Sequence, residues 1–168
     1  MKRTAAPADT GHKRTKTAGY DEKTDQIIVP KFKWYDELNA LLAQPPDTDT
    51  IIWVVDRVGG NTGKTVFVRK YERAHPDVAK RLPSTLPPSS LIRFLEADKN
   101  IMFFDVPCAG KFKAYGVLRQ IKEGSVINKK ITFGATHVVI MSHKEPEHDK
   151  LVWAHLKVVE ATREVHDE

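Results

Sequence analysis

The stretch "IIWVVDRVGGNTGKT", Ile51 to Thr65, constrains the chain more than any other. Its β-branched and aromatic start, 51–55, predicts a buried parallel strand. The glycines that follow predict a turn, and Lys64 to Arg73 predicts a helix ending before His75-Pro76. Strand, glycine loop and helix in that order allow backbone N–H groups to fold around an anion, while the helix N-terminus adds partial positive charge. The usual pattern is Gly, any four residues, then Gly-Lys-Ser/Thr. Val58 stands where its first glycine belongs, so Gly59 and Gly60 must supply the tight turn. On this reading Gly59, Gly60, Asn61, Thr62 and Gly63 cradle phosphate, Lys64 reaches the β- and γ-phosphates, and Thr65 binds Mg²⁺ through its hydroxyl. The alternative is an ordinary glycine-rich strand-to-helix turn with an incidental Lys-Thr.

A loop of this kind needs an acid on a neighbouring strand to hold the metal. "IMFFD" supplies Asp105 at the carboxyl end of an apolar run, where ligands gather in open α/β sheets. Asp105 is expected on a sheet neighbour of the strand before the loop, holding Mg²⁺ directly or through water. Taken alone, such an aspartate is a turn or cap residue. Val106 and Pro107 follow, so no second acid stands beside it as a base for water. A third strand, "HVVIMS", 137–142, places Ser142 or His143 where a polar group would meet a γ-phosphate or an attacking water. The plainer reading of His143 is a solvent-exposed loop histidine.

The remaining pattern alternates helices and strands, which argues a parallel α/β sheet. Phe32, Tyr35, Leu38, Leu41 and Leu42 recur at helical spacing before Pro45-Pro46. Residues 81–90 carry three prolines and are expected to be mostly irregular, and "SLIRFLEADKN" is expected to be a helix. "KFKAYGVLRQIKEG" reads as a helix stopped by Gly124. "SVINKKITFG" reads as a hairpin with Lys129 and Lys130 at its tip, and "WAHLKVVEA" as a last strand. The expected organisation is a tail over 1–26, a helical lead-in over 27–50, a nucleotide-binding domain over 51–161 and an acidic tail over 162–168.

With 168 residues the chain is long enough for one domain with a real core. No apolar run approaches the roughly 20 residues that span a bilayer, and the start lacks a secretory signal's apolar region, so no membrane partner is expected. A single cysteine, Cys108, excludes an internal disulfide, and seven scattered histidines show no zinc-ligand spacing. The net charge of +5 is concentrated at the start, where five basic residues face one acid in the first sixteen positions. Residues 1–26 contain no Leu, Ile, Val, Phe or Trp, and are expected to be disordered. Lys2-Arg3 and the cluster Lys13-Arg14-Thr15-Lys16 have the spacing of a bipartite nuclear-import signal, which would engage an import receptor. The alternative is a tail that clings weakly to polyanions and a cytoplasmic protein.

Taken in order, "DRVGGNTGKT", "FFDVP", "IKEGSVINKK", "HVVIMSHKEP" and the tryptophan before "LKVVEA" resemble the superfamily 3 helicase domain. The resemblance is to the replication-initiator (Rep) proteins of small circular single-stranded DNA viruses, such as circoviruses and nanoviruses, and covers roughly 32–161. It implies a P-loop NTPase fold similar to AAA+ ATPases, with ATP and Mg²⁺ as cofactors. It also implies a homo-oligomeric ring, usually a hexamer, that moves on single-stranded DNA in the host nucleus, with RNA left open as a partner. Gly60 to Thr65 would form the Walker A loop and Asp105 the Walker B acid, while Lys129 or Lys130 would grip the strand. Such a grip is phosphate contact, salt-dependent and indifferent to sequence. The chain departs from the family in having His143 where an asparagine is usual, and Lys150 rather than arginine near Trp153. A lysine does not reproduce the guanidinium fork. The part before the loop is short for a nicking endonuclease and contains no His-x-His, so nicking is not expected. Three functions follow: an ATP-driven motor on nucleic acid, a hydrolysis-deficient binding or oligomerisation module, and a small-molecule kinase. The last fits the loop but not the segment after Met141.

Overall fold

The computed structural model describes residues 19–21, 26–28, 31–126 and 131–166. The chain divides into two units, Met1–Pro30 and Lys31–Glu168. In the first, β1 (Gly19–Asp21) pairs antiparallel with β2 (Gln26–Ile28). The basic clusters at 2–3 and 13–16 lie outside the described residues.

The second unit begins with α1 (Trp34–Leu42), followed by β3 (Thr50–Val55) and α2 (Lys64–Ala74). Next come β4 (Ala79–Leu82), the single turn α3 (Pro88–Leu91) and β5 (Ile101–Asp105). After α4 (Tyr115–Lys122), β6 (Ser125–Val126) pairs antiparallel with β7 (Ile131–Thr132). The unit ends with β8 (His137–Ser142) and β9 (His155–Glu160). Five of these strands form one sheet in the order β4-β5-β8-β3-β9, and every neighbouring pair is parallel.

Side-chain alternation along the strands splits the core into two faces. Ile51, Trp53 and Val55 point to one face with Met102, Phe104, Val138 and Ile140, where Tyr115, Leu118 and Ile121 of α4 cover them. Ile52 and Val54 point to the other with Phe103, Val139 and Met141, under α1 and α2. Because both faces are covered, β3 and β8 are buried almost throughout and read as continuous apolar runs. The result is an α/β fold: an all-parallel sheet flanked by helices.

Three expectations change. Residues 79–82 form a strand, although 81–90 was expected to be irregular. Lys80 and Arg81 hide it in the sequence, since each charge is matched by an acid brought close only by the fold, Glu96 for Lys80 and Asp105 of the neighbouring β5 for Arg81. "SLIRFLEADKN" yields only α3 and a 3-10 turn at Ile92–Phe94 rather than a long helix, since Leu95 turns to extended backbone. Leu91 and Leu95 are both buried, so the segment is shaped by plugging the core rather than by helical periodicity. Finally, β8 inserts between β3 and β5, so Asp105 is not on the strand next to the loop-bearing one. The helix stop at Gly124 is as expected, with φ +81°. Among the described residues no helix is long and apolar enough to cross a membrane.

Candidate functional site

Between β3 and α2 the backbone turns through left-handed conformations at Gly59, Gly60, Asn61 and Gly63. Three are glycines, and asparagine is among the few other residues that adopt this conformation readily. Gly63 is also sterically required. A Cβ there would run into the Tyr35 hydroxyl and the Phe32 ring, both beneath the loop. The Phe67 N–H donates to the Gly63 carbonyl at 2.8 Å, which starts α2 directly behind the turn.

Asp56, at the end of β3, organises the interior of this loop. It is 2 % exposed. Its Oδ1 accepts from the backbone N–H of Val58 at 3.0 Å and of Gly60 at 3.3 Å. Oδ2 accepts from Thr62 Oγ1 at 2.8 Å and from Lys64 Nζ at 2.6 Å. Burial alone would raise its pKa, but hydrogen bonds from Lys64, Thr62 and Gly60 outweigh it and hold the carboxyl at about 2. Lys64 is 6 % exposed, and burial pulls its pKa down while Asp56 opposes that shift.

His143 completes the cluster, with Nε2 3.2 Å from Lys64 Nζ and Nδ1 3.5 Å from Asp56 Oδ2. An ammonium only donates, so Nε2 accepts and the ring proton sits on Nδ1. Burial, then the Lys64 charge, lowers the His143 pKa and keeps the ring neutral at pH 7. His143 is therefore not the exposed loop histidine of the plainer reading. Ser142, the other candidate, is buried, and its hydroxyl accepts the Lys144 N–H at 3.0 Å. Trp53 fixes this segment by donating Nε1 to the Lys144 carbonyl at 2.9 Å.

At the start of α2, Thr65 Oγ1 donates to Asp105 Oδ1 at 3.1 Å. This contact reaches past β8 and joins the loop to β5. Asp105 Oδ2 accepts from Arg81 Nη2 at 2.8 Å, and the Ser84 hydroxyl donates to the Asp105 carbonyl. A cleft of about 480 Å³ is lined by residues 59–66, by Asp105 to Cys108 and by His143. A second of about 500 Å³ adjoins it through Thr65, Asp105 and Pro107, with Glu72, Arg81 and Ser84 on its walls. Both fall within the range of small-ligand sites.

The donor set fits a phosphate and a hard cation. The positive-φ turn resembles the amide concavities that take anions, and a hydroxyl beside a carboxylate suits Mg²⁺. Among the described residues no three His, Cys, Asp or Glu side chains gather as a metal cage. A cation at Thr65 and Asp105 would therefore complete its shell with phosphate oxygens and water.

The surroundings hold the loop in place. Trp34 Nε1 donates to the Thr62 carbonyl and the Tyr35 hydroxyl to the Gly63 carbonyl, both at 2.9 Å. Arg163 donates to the carbonyls of Gly60 and Val58 at 3.1 and 2.9 Å. Lys150 instead pairs with Glu147 at 2.6 Å and lies over the Tyr115 ring. Of the residues singled out in the sequence, Gly59 to Thr65, Asp105 and His143 come together, while Lys129 and Lys130 lie outside the described residues. Asp56, Arg81 and Arg163 were not assigned a role. Asp56 had a signal, an acid ending a buried strand just before a glycine loop, whereas the two arginines had none.

No protein-family model matches the chain. It is 28% identical over 134 residues to Para-Rep C6 of Subterranean clover stunt C6 alphasatellite, covering 75% of this chain and 46% of that protein. It is 27% identical over 135 residues to Para-Rep C3 of Milk vetch dwarf C3 alphasatellite, with the same shares. The chain thus spans about half the length of the curated relatives it matches. Sequence and sheet together make it a distant homologue of viral Rep proteins on a P-loop, AAA+-like parallel sheet.

Proposed function

We propose that the protein binds Mg-ATP at the loop of residues 59–65 and hydrolyses it to move on single-stranded nucleic acid, as a Rep-like helicase domain. The observation that carries this reading is the Thr65–Asp105 contact at 3.1 Å, beside a left-handed glycine loop that ends in Lys64. It brings the loop and a strand-end carboxylate into one site although β8 separates their strands.

In this reading the loop amides hold the phosphates, and Lys64 turns from Asp56 to reach the β- and γ-oxygens. That turn also leaves His143 Nε2 free to accept a proton-bearing water, the role of the family's asparagine. Thr65 and Asp105 hold Mg²⁺, which when bound neutralises charge on the transferring phosphoryl group. Lys129 and Lys130 contact the nucleic-acid backbone, DNA or RNA, through phosphates. Ring assembly, import through the N-terminal basic clusters and action in a host nucleus belong to the same proposal and rest on the sequence motifs and the spacing of the basic clusters.

ATP hydrolysis with and without single-stranded DNA tests it. Wild type should release phosphate faster with DNA, and Lys64→Ala should lose both binding and turnover. Equal inactivity of the two proteins, at concentrations that allow assembly, would sink the motor. A second reading, a nucleotide-binding assembly module without hydrolysis, draws on Val106, which is buried and apolar where a water-activating acid would follow Asp105. Nucleotide-dependent oligomerisation without phosphate release would favour it.

A further inference from the structure

The donors that Asp56 occupies are the ones a phosphate would use. The N–H groups of Val58 and Gly60, the Thr62 hydroxyl and the Lys64 ammonium all point at its carboxylate. Burying an ionised pair is expensive, because both partners lose water. An asparagine would accept from the Val58 and Gly60 N–H groups through its amide oxygen without that cost, but its NH2 could not accept from the Lys64 ammonium, which is held by the carboxylate's charge. What the carboxylate adds is its charge.

That charge leaves the ligand-free site balanced. Lys64 is paired with Asp56, Arg81 with Asp105, and His143 is neutral. A bare polyphosphate meets no net positive charge among the buried side chains of the loop, and it must approach a buried anion; Arg163 stands outside this balance, exposed and turned to the loop carbonyls. A polyphosphate carrying a divalent cation brings the missing positive charge to Thr65 and Asp105. The discrimination between the two ligand forms therefore rests partly on Asp56, well away from the expected metal position.

Building on the nucleotide reading, we propose that Asp56 is a specificity-determining residue that makes the loop accept cation-loaded nucleotide and reject the metal-free form. Removing its charge turns the loop into a cradle with one net positive charge, which binds polyphosphate whether or not a cation accompanies it. Asp105 acts at the other end of the same choice, by favouring the cation-loaded form directly.

Calorimetric titration of ATP with Mg²⁺ and of ATP with EDTA, into the full chain, separates these contributions. Wild type should bind the Mg²⁺ form at least about tenfold more tightly. Asp56→Asn should tighten metal-free binding by about tenfold or more and shrink the ratio between the two forms. Asp105→Asn should also shrink the ratio, but by weakening the Mg²⁺ form. Asp56→Ser, smaller and neutral, reads the same ratio if the asparagine variant does not fold. A folded Asp56 variant with the wild-type ratio overturns the proposal, as does a wild type that binds both forms equally; either leaves nucleotide binding standing. Failure of wild type and variants to bind either form overturns the nucleotide reading and this proposal with it.

Discussion

Arg81 donates to one oxygen of Asp105 at 2.8 Å while Thr65 donates to the other at 3.1 Å, so the carboxylate is engaged on both sides. A cation arriving there must compete with a guanidinium. Arg81 is about one-third exposed, which screens the pair and limits its worth to about 1 kcal/mol. Arg81→Ala should therefore lower the Mg²⁺ concentration that half-saturates ATP binding, by roughly fivefold. Titrating Mg²⁺ at fixed ATP measures it, and an unchanged or higher requirement would refute the competition. Residues differ in how far sequence reveals them. Asp105 is legible because an acid ending an apolar strand is a pattern. Arg81 is not, because its partner depends on strand order and its own strand carries charges that mask it. Asp56 lies between these cases: the sequence marks it as a strand end, but its four donors converge only once the loop has turned through left-handed backbone.

Among the elements, α1 does more than lead into the domain. Phe32, Trp34 and Tyr35 pack with Phe67 of α2, and two of their polar atoms hold loop carbonyls. Its helical spacing was visible, but nothing in that spacing says which element it covers. The same holds for β8, whose apolar run predicts a buried strand without saying that it separates β3 from β5. Tyr35→Phe keeps the ring and deletes only the hydroxyl that donates to the Gly63 carbonyl. It should cost about 1 kcal/mol of stability and weaken ATP binding several-fold, because Gly63 loses support at the helix start. Thermal melts and nucleotide titration read the two effects separately. Loss of stability with unchanged affinity would show that α1 supports the core but not the site.

For the molecule as a whole, protonation links the site to stability. His143 beside Lys64 and His137, which donates Nε2 to the Gln44 carbonyl at 2.8 Å, both have pKa values lowered chiefly by burial. The unfolded chain, with histidines near about 6.5, then binds more protons than the folded one as the pH falls below 7. Stability from these groups is complete above about pH 6.5 and is lost as the pH drops through the lower folded values. Asp56 and Asp47, each held near 2, extend the decline below about pH 4, where unfolded carboxyls take up protons first. The expected result is a melting temperature that falls from pH 7 to pH 5 and falls again below pH 4. His143→Asn should shrink the first decline to the part that His137 contributes and leave the second, since it removes one histidine and neither aspartate. Saturating Mg-ATP should raise the melting temperature at pH 7, as a ligand of the folded state does. A wild type that is equally stable at pH 7 and pH 5 would contradict the lowered pKa values of the two histidines.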